Sequence, residues 1–289
     1  MTVNGTTRLC GLIGNPICHT MSPLIHNHLK EKLGINTIYT PFLVEKENLK
    51  TAVEGAHALN IMGMNVTVPY KSSVIPFLEE IDPMADGIGA VNTLVRMQQG
   101  YKGYNTDMTG LCRAMQAEGI RLDGEEIIIL GAGGAARAVA YMCLFYKASK
   151  IYLLNRTLSK ANEVAQELNQ KFERQAIFPL GLDEYGNIPV KKYLVIQATS
   201  IGLHPHQKQC VIHDSAFYEL AHTGYDLIYN PEITQFMKKI EGAGGVSYNG
   251  LGMLLFQAVD AFELWNEVEV SDEVAMETYE VLKNEIKKV

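Results

Sequence analysis

Two segments of the sequence carry side chains that could exchange a proton with a substrate. In Asn65-Val66-Thr67-Val68-Pro69-Tyr70-Lys71 a hydroxyl and an amine lie just past the carboxyl end of a predicted strand, where open α/β sheets place their ligands. Further along, Gly103-Tyr104-Asn105-Thr106-Asp107 supplies a carboxylate that could meet Lys71 at a domain boundary and form an ion pair across a cleft. Residue types alone leave two readings open: a proton-transferring pair, or a solvated lysine that starts a helix after proline.

A third segment could hold a pyrophosphate. Ile127-Ile128-Ile129-Leu130 runs into Gly131-Ala132-Gly133-Gly134-Ala135-Ala136, which satisfies G-x-G-x-x-A in the required order of strand, tight turn and helix. Gly131 permits the turn and Gly133 lets backbone N–H groups approach the anion. Small Ala136 lets the helix pack on the strand while its N-terminus faces the phosphates. About 20 residues on, where an acid would bond the ribose 2′-hydroxyl of NAD, stand Asn155-Arg156-Thr157, with Lys160 a turn later. A flat guanidinium can stack on adenine and pair with a 2′-phosphate, a charge-assisted contact of about 1.5–3 kcal/mol. Arg156 therefore predicts a roughly ten- to hundredfold preference for NADP. Its other reading is a surface arginine ahead of a helix capped by Thr157.

A scaffold must hold these segments. The 289 residues are 47% hydrophobic and 20% charged, enough for one large domain or two modest ones, and two are expected. Residues 9–13, 37–43, 61–66, 127–130, 150–154, 194–198 and 225–228 read as strands. Helices are predicted from Ser22-Pro23, a hydroxyl cap with proline in the first turn, over residues 46–57, from Thr106-Asp107, and from the glycine turn to about Tyr146. This alternation implies parallel βαβ units, so the fold class is α/β. A short strand pair at residues 93–96 and 101–104, joined through Gln98-Gln99-Gly100, interrupts the rhythm and marks a candidate boundary. Residues 250–266 and 272–288 read as two terminal helices able to pack back onto the first domain, and residues 1–7 are polar and expected to fray.

The net charge of −7, from 32 acidic against 25 basic side chains with no basic block, argues against nucleic acid as a partner. No segment resembles a signal peptide, and the longest apolar run, residues 138–146, is half a membrane span, so a cytoplasmic protein is expected. Cys10, Cys18, Cys112, Cys143 and Cys210 are scattered without a C-x-x-C pair and read as buried thiols. His204-Pro205-His206 ahead of Cys210 reads as a solvated loop, and no metal site is predicted. Phe262, Leu264 and Trp265, with Met62 and Met64, read as core, and His19 as a loop histidine.

Taken together, the motifs resemble those of the shikimate/quinate dehydrogenase family over nearly the whole chain. The match runs in order through Gly14-Asn15-Pro16-Ile17-Cys18-His19-Thr20-Met21-Ser22-Pro23, the Asn65 to Lys71 segment, Gly89-Ala90-Val91-Asn92-Thr93 and the Asp107 segment. It continues through the glycine loop, Asn155-Arg156-Thr157, Ala198-Thr199-Ser200-Ile201-Gly202-Leu203, Asp226-Leu227-Ile228-Tyr229-Asn230-Pro231 and Gly250-Leu251-Gly252-Met253-Leu254-Leu255-Phe256-Gln257. The resemblance implies that Lys71 and Asp107 are the catalytic pair. Thr67, Asn92 and Gln257 would grasp ring hydroxyls, and Thr20, Ser22 and Tyr229 the carboxylate. Gly131, Ala132, Gly133, Gly134, Ala135, Asn155, Arg156, Thr157, Lys160 and Thr199 would hold the cofactor, with Gly250 and Met253 beside the nicotinamide. It also implies a substrate domain of residues 1–107 and 250–289, a Rossmann-type NADP domain of residues 108–249, and a site in the cleft between them. The activity implied is reversible reduction of 3-dehydroshikimate to shikimate, in the chorismate pathway of aromatic amino acid biosynthesis. A homodimer is compatible with this reading.

The chemistry agrees, since a polyhydroxylated acid needs many neutral donors and acceptors. An ammonium beside a carboxylate keeps its proton near neutrality, ready for a ketone oxygen as hydride arrives, and alcohol oxidation should accelerate with pH. One departure from the family pattern is Thr20, where the first substrate loop carries serine. Its added methyl and stiff χ1 put the choice between shikimate and quinate in play. Three rival readings follow: a quinate-preferring relative that uses NAD, a catalytically silent relative that binds substrate or dinucleotide as a regulator, and a methylenetetrahydrofolate dehydrogenase. Lys71 and Asp107 speak against the second, and the substrate-loop hydroxyls and Gln257 against the third.

Overall fold

Strand and helix alternate along the chain as β1 (Arg8–Gly14), α1 (Ser22–Leu33), β2 (Thr37–Leu43), α2 (Leu49–Ala58), β3 (Gly63–Val66), β4 (Glu80–Ile81), α3 (Pro83–Ile88), β5 (Thr93–Arg96), β6 (Tyr101–Tyr104) and α4 (Thr106–Ala117). They continue as β7 (Glu126–Leu130), α5 (Gly134–Phe145), β8 (Lys150–Asn155), α6 (Leu158–Lys171), β9 (Ile177–Gly181), β10 (Tyr193–Gln197), α7 (Ser215–Tyr218), β11 (Ala221–Asp226), α8 (Gln235–Gly242), β12 (Val246–Tyr248), α9 (Leu251–Asn266) and α10 (Asp272–Ile286). This computed structural model describes residues 3–287. Two units emerge: the chain up to Ala114 together with Gly252 onward, and Met115–Leu251.

The first unit is built on a mixed sheet of order β2-β1-β3-β5-β6-β4. β1 pairs parallel with β2 and β3, whereas β5 and β6 form an antiparallel hairpin closed by the Met97 N–H on the Gly100 carbonyl, 2.8 Å. Five consecutive residues of β1 are buried, because the sheet is covered on both faces. One face packs Ile13, Val53, Met64, Val66, Tyr70 and Leu94 under α2, and the other packs Cys10, Leu12 and Tyr39 against Ala261 and Trp265 of α9. Trp265 is buried, and its indole N–H donates to the Leu94 carbonyl at 2.9 Å. The α10 helix adds an ion pair to α1, Glu277 to Lys32, at 2.6 Å.

The second unit is an all-parallel sheet of order β12-β11-β10-β7-β8-β9. Counted along this unit, that is the 3-2-1-4-5-6 order of a Rossmann sheet, with its switch point between β7 and β10. Its edges carry the strands that the apolar pattern did not reveal. β9 contains Pro179, which an edge strand tolerates, and β12 is three residues long.

Several local expectations are corrected. Ser22 does not cap α1: the N-cap is Met21 without a side-chain bond, and the Thr20 hydroxyl accepts from the Ser22 N–H instead at 3.2 Å. Residues 46–57 split into a 3-10 turn (Lys46–Asn48) and α2. The strand expected at 225–228 ends at Asp226, because the Ile228 N–H turns back onto the Asp226 carboxylate at 3.0 Å. Of the segment expected to fray, Met1 and Thr2 lie outside the described residues, but the Asn4 side chain accepts from Thr6 and donors on Asn36, forming a bonded turn. Lys288, placed in the last helix by the sequence, also lies outside them. Four cysteines are buried as expected, but Cys18 is exposed.

Candidate active site

The Lys71 and Asp107 side chains meet: Nζ stands 2.6 Å from Oδ2, with the side chains 33% and 19% exposed. Both backbones are held from outside the pair. Buried Tyr70 donates its hydroxyl to the Val44 carbonyl at 2.6 Å, and the Lys71 carbonyl accepts from the Val91 N–H at 2.7 Å. The Asn105 side chain accepts from the Met108 N–H at 3.2 Å and donates to the Ala90 carbonyl at 2.9 Å, which fixes the start of α4. Asp107 thereby sits in the first turn of a helix, where the dipole favours a carboxylate.

The first unit also carries the neutral hydrogen-bonding groups named as candidate substrate contacts, Tyr229 excepted. Asn92 is buried and its Oδ1 accepts from the Thr106 N–H at 2.7 Å, which leaves the Asn92 amide nitrogen free to donate. Thr67 is half-buried just past β3, in the turn that ends at Tyr70. The Thr20 hydroxyl donates to Ser22 Oγ at 3.2 Å. Gln257 donates to the Leu254 carbonyl at 2.9 Å, one turn back in α9. Tyr229 lies in the second unit, and burial raises its pKa, so it is a neutral donor.

Of the remaining candidates, all but Met253 of the first unit lie in the second unit, in segments at or after the carboxyl ends of its strands. Gly131 takes φ +114°, a conformation L side chains rarely adopt, and a Cβ there would stand 2.9 Å from Thr199 Cγ2, so the glycine loop abuts the exit of β10. Gly133 and Gly134 face open space, and α5 starts at Gly133 without a side-chain cap, which leaves its N–H groups available to an anion. Ala136 is fully buried behind them. A dinucleotide pyrophosphate fits this cradle, because added side chains at Gly133 or Gly134 would fill it. Asn155 donates to the Thr157 carbonyl at 2.9 Å, and Arg156, Thr157 and Lys160 are exposed at the start of α6. Thr157 is the N-cap of α6 but makes no side-chain cap bond, so that role does not use its hydroxyl. Thr199 donates its hydroxyl to Gln197 Oε1 at 2.7 Å. Gly250 is pinned by its N–H on the Ile228 carbonyl at 3.0 Å, and a Cβ there would meet the Leu227 oxygen at 2.1 Å. Met253 is half-buried at the start of α9.

Residue-by-residue reading missed the polar groups that hold these in place. Asp226 is buried and accepts from the Thr234 hydroxyl at 2.7 Å and the Gln197 amide at 3.4 Å. Asn65, buried in β3, accepts from Tyr39 and donates to Thr93. The signal available was a polar residue inside an otherwise apolar strand run.

Residues 12–94 match the family profile described as the shikimate dehydrogenase substrate binding domain, and residues 113–204 match that of shikimate / quinate 5-dehydrogenase. A shikimate dehydrogenase (NADP(+)) of Desulforamulus reducens is 43% identical over 266 residues, covering 91% of each chain. The crystal structure of a shikimate 5-dehydrogenase from Listeria monocytogenes with shikimate and NAD matches with TM-score 0.89 at 30% identity, over 98% of each chain. A quinate dehydrogenase from Corynebacterium glutamicum, in complex with NAD, matches with TM-score 0.83 at 29% identity, over 95% of this chain and 99% of that one.

Proposed function

Because the chain belongs to the shikimate dehydrogenase family, we propose that it interconverts 3-dehydroshikimate and shikimate with NADP, and that Lys71 and Asp107 handle the proton. The observation that carries this reading is the 2.6 Å ion pair between them, knit through Val91 and Thr106 to the buried amide of Asn92. A bound nicotinamide cofactor supplies or accepts the hydride. In reduction, the Lys71 ammonium gives one proton to the carbonyl oxygen, which becomes the hydroxyl. The neutral amine then recovers a proton from solvent, which its partial exposure allows. In oxidation the amine takes the hydroxyl proton. Asp107 keeps the amine oriented and compensates its charge.

Thr67, Asn92 and Gln257 would bond the ring oxygens. Thr20 and Ser22, with the Tyr229 phenol, would bond the carboxylate. Gly131 to Ala135 would cradle the pyrophosphate, Asn155, Arg156, Thr157 and Lys160 the adenosine 2′-phosphate, and Thr199, Gly250 and Met253 would lie along the nicotinamide side. Among the described residues no helix is long and apolar enough to cross a membrane, and five free thiols suit a reducing compartment such as the cytoplasm.

A second reading is quinate oxidation or use of NAD: Thr20 adds a methyl to the loop that would receive the carboxylate, and structures holding NAD, a quinate dehydrogenase among them, match over nearly the whole chain. The test is turnover followed at 340 nm with shikimate or quinate and NADP or NAD in the four combinations. We expect the highest kcat/KM with shikimate and NADP; no turnover in any combination overturns the reading.

A further inference from the structure

Tyr39 lies on β2 and Asn65 on β3, the two strands that flank β1. In register Tyr39 opposes Cys10 and Asn65 opposes Leu12, so the phenol reaches diagonally over β1 to donate to Asn65 Oδ1 at 2.8 Å. On the far side, Asn65 Nδ2 donates to Thr93 Oγ1 at 3.0 Å and to the Asn92 carbonyl at 3.3 Å. Thr93 Oγ1 in turn lies 3.1 Å from Asn92 Oδ1 and 2.9 Å from Thr106 Oγ1. An unbroken chain of hydrogen bonds thus runs from Tyr39 to Thr106, the residue preceding Asp107. Tyr39, Asn65, Asn92, Thr93 and Thr106 are all buried.

From this connection we propose that Tyr39 is a positioning residue for the substrate: its hydroxyl sets the orientation of Asn65, which in turn holds Asn92 and Thr93 in place at the ring-hydroxyl end of the site. The inference rests on the substrate-contact role given above to Asn92. The Asn92 carbonyl can only accept, so it takes the Nδ2 side of the Asn65 amide. The amide of Asn65 is then fixed with its oxygen toward Tyr39 and its nitrogen toward Thr93. Reversing it would set the Asn65 oxygen against the Asn92 carbonyl, acceptor against acceptor, within a buried region where the mismatch is costly.

The ring of Tyr39 is held by a second device. His26 stacks on it with centroids 4.1 Å apart and planes 11° from parallel, and Trp265 packs at 6.0 Å. Among the described residues neither nitrogen of the fully buried His26 ring has a hydrogen-bond partner, and burial keeps the imidazole neutral. The imidazole therefore offers the phenol a flat surface and no competing bond. One rotamer and one bonding pattern remain for Tyr39.

The test is Tyr39→Phe, which keeps the stacked ring and removes the hydroxyl alone. We expect KM for shikimate to rise about three- to tenfold, the worth of one hydrogen bond, with kcat and the KM for NADP within about twofold of the parent. Thr93→Val, close in shape, breaks the same chain from its other end and should raise the same KM. In the double variant the increase should not exceed the larger single effect by more than about twofold, because both act on one chain. A shikimate KM unchanged in Tyr39→Phe, or effects that multiply in the double variant, overturns the proposal, whatever happens to Tm. Should Tyr39→Phe fail to fold, an unchanged KM in Thr93→Val overturns it alone. Failure of the parent enzyme to turn over shikimate would instead strike the proposed function, so the two failures are distinguishable.

Discussion

Gly110 of α4 lies directly against Gln257 of α9: a Cβ on Gly110 would stand 2.3 Å from the Gln257 backbone nitrogen and 2.7 Å from its Cα. Glycine in a helix interior costs about 1 kcal/mol relative to alanine, so the position is held by contact rather than by helix propensity. The close approach brings Gln257 onto the helix whose first turn carries Asp107. Gly110→Ala should destabilise the protein by roughly 1–3 kcal/mol despite the gain in propensity, and raise the KM for shikimate by displacing Gln257. Urea unfolding and steady-state kinetics measure both, and a variant more stable than the parent would contradict the contact.

The Lys71 and Asp107 pair predicts a division of effects. Lys71→Met removes the proton donor and should lower kcat by about 10²–10⁴ while leaving the KM for NADP near its parent value. Asp107→Asn keeps the shape but leaves the ammonium without its anionic partner, so a smaller fall in kcat is expected. If Lys71→Met kept more than about a tenth of the parent kcat, the assignment of the proton to this amine would be wrong.

The parts of this arrangement that the sequence made legible are those written in local pattern. The glycine loop between a continuous apolar strand and an alanine-rich helix can be read because strand, turn and helix each leave a signature within a few residues. The hairpin of β5 and β6 was placed to the residue because alternation and a Gln98-Gln99-Gly100 turn bracket it. The meeting of Lys71 and Asp107 could be named only as a candidate, since it depends on which strands become neighbours. Tyr39 and Asn65 lay further out of reach. Each looked like an ordinary member of a strand, and their bond exists only in the register of β2, β1 and β3. The expected Ser22 cap misread a local signal, because its hydroxyl is engaged by Thr20 rather than by its own helix.

Arg156 bears on cofactor choice. It is exposed at the start of α6, in a turn shaped by the Asn155 side chain on the Thr157 carbonyl at 2.9 Å. A guanidinium there pairs with the charge of a 2′-phosphate, which the ribose hydroxyl of NAD lacks. Arg156→Ala should raise the KM for NADP by roughly ten- to a hundredfold and leave that for NAD within about twofold. Kinetics at fixed saturating shikimate separate the two, and equal changes for both cofactors would remove Arg156 from the discrimination.

Asp226 predicts a pH dependence of stability. Its carboxyl is buried at the end of β11, and burial pushes it up to about 6 from an ordinary 3.8, against bonds from Thr234, Ile228 and Gln197 that pull the other way. A group with a raised pKa in the folded state binds its proton more tightly there. The cost of burying its charge is therefore full above about pH 6 and is relieved as pH falls toward 3.8. His26 acts in the opposite sense: burial lowers it to about 3, so stability is lost as pH drops below 6.5. Asp226→Asn removes only the first contribution. Between pH 8 and pH 4.5 the stability of the parent relative to this variant should rise by on the order of 2 kcal/mol, read from urea unfolding at each pH. His26 is common to both proteins and cancels from the comparison. A difference that stayed constant over that range would mean that the Asp226 carboxyl titrates alike in the folded and unfolded chain, and that its burial carries no charge cost.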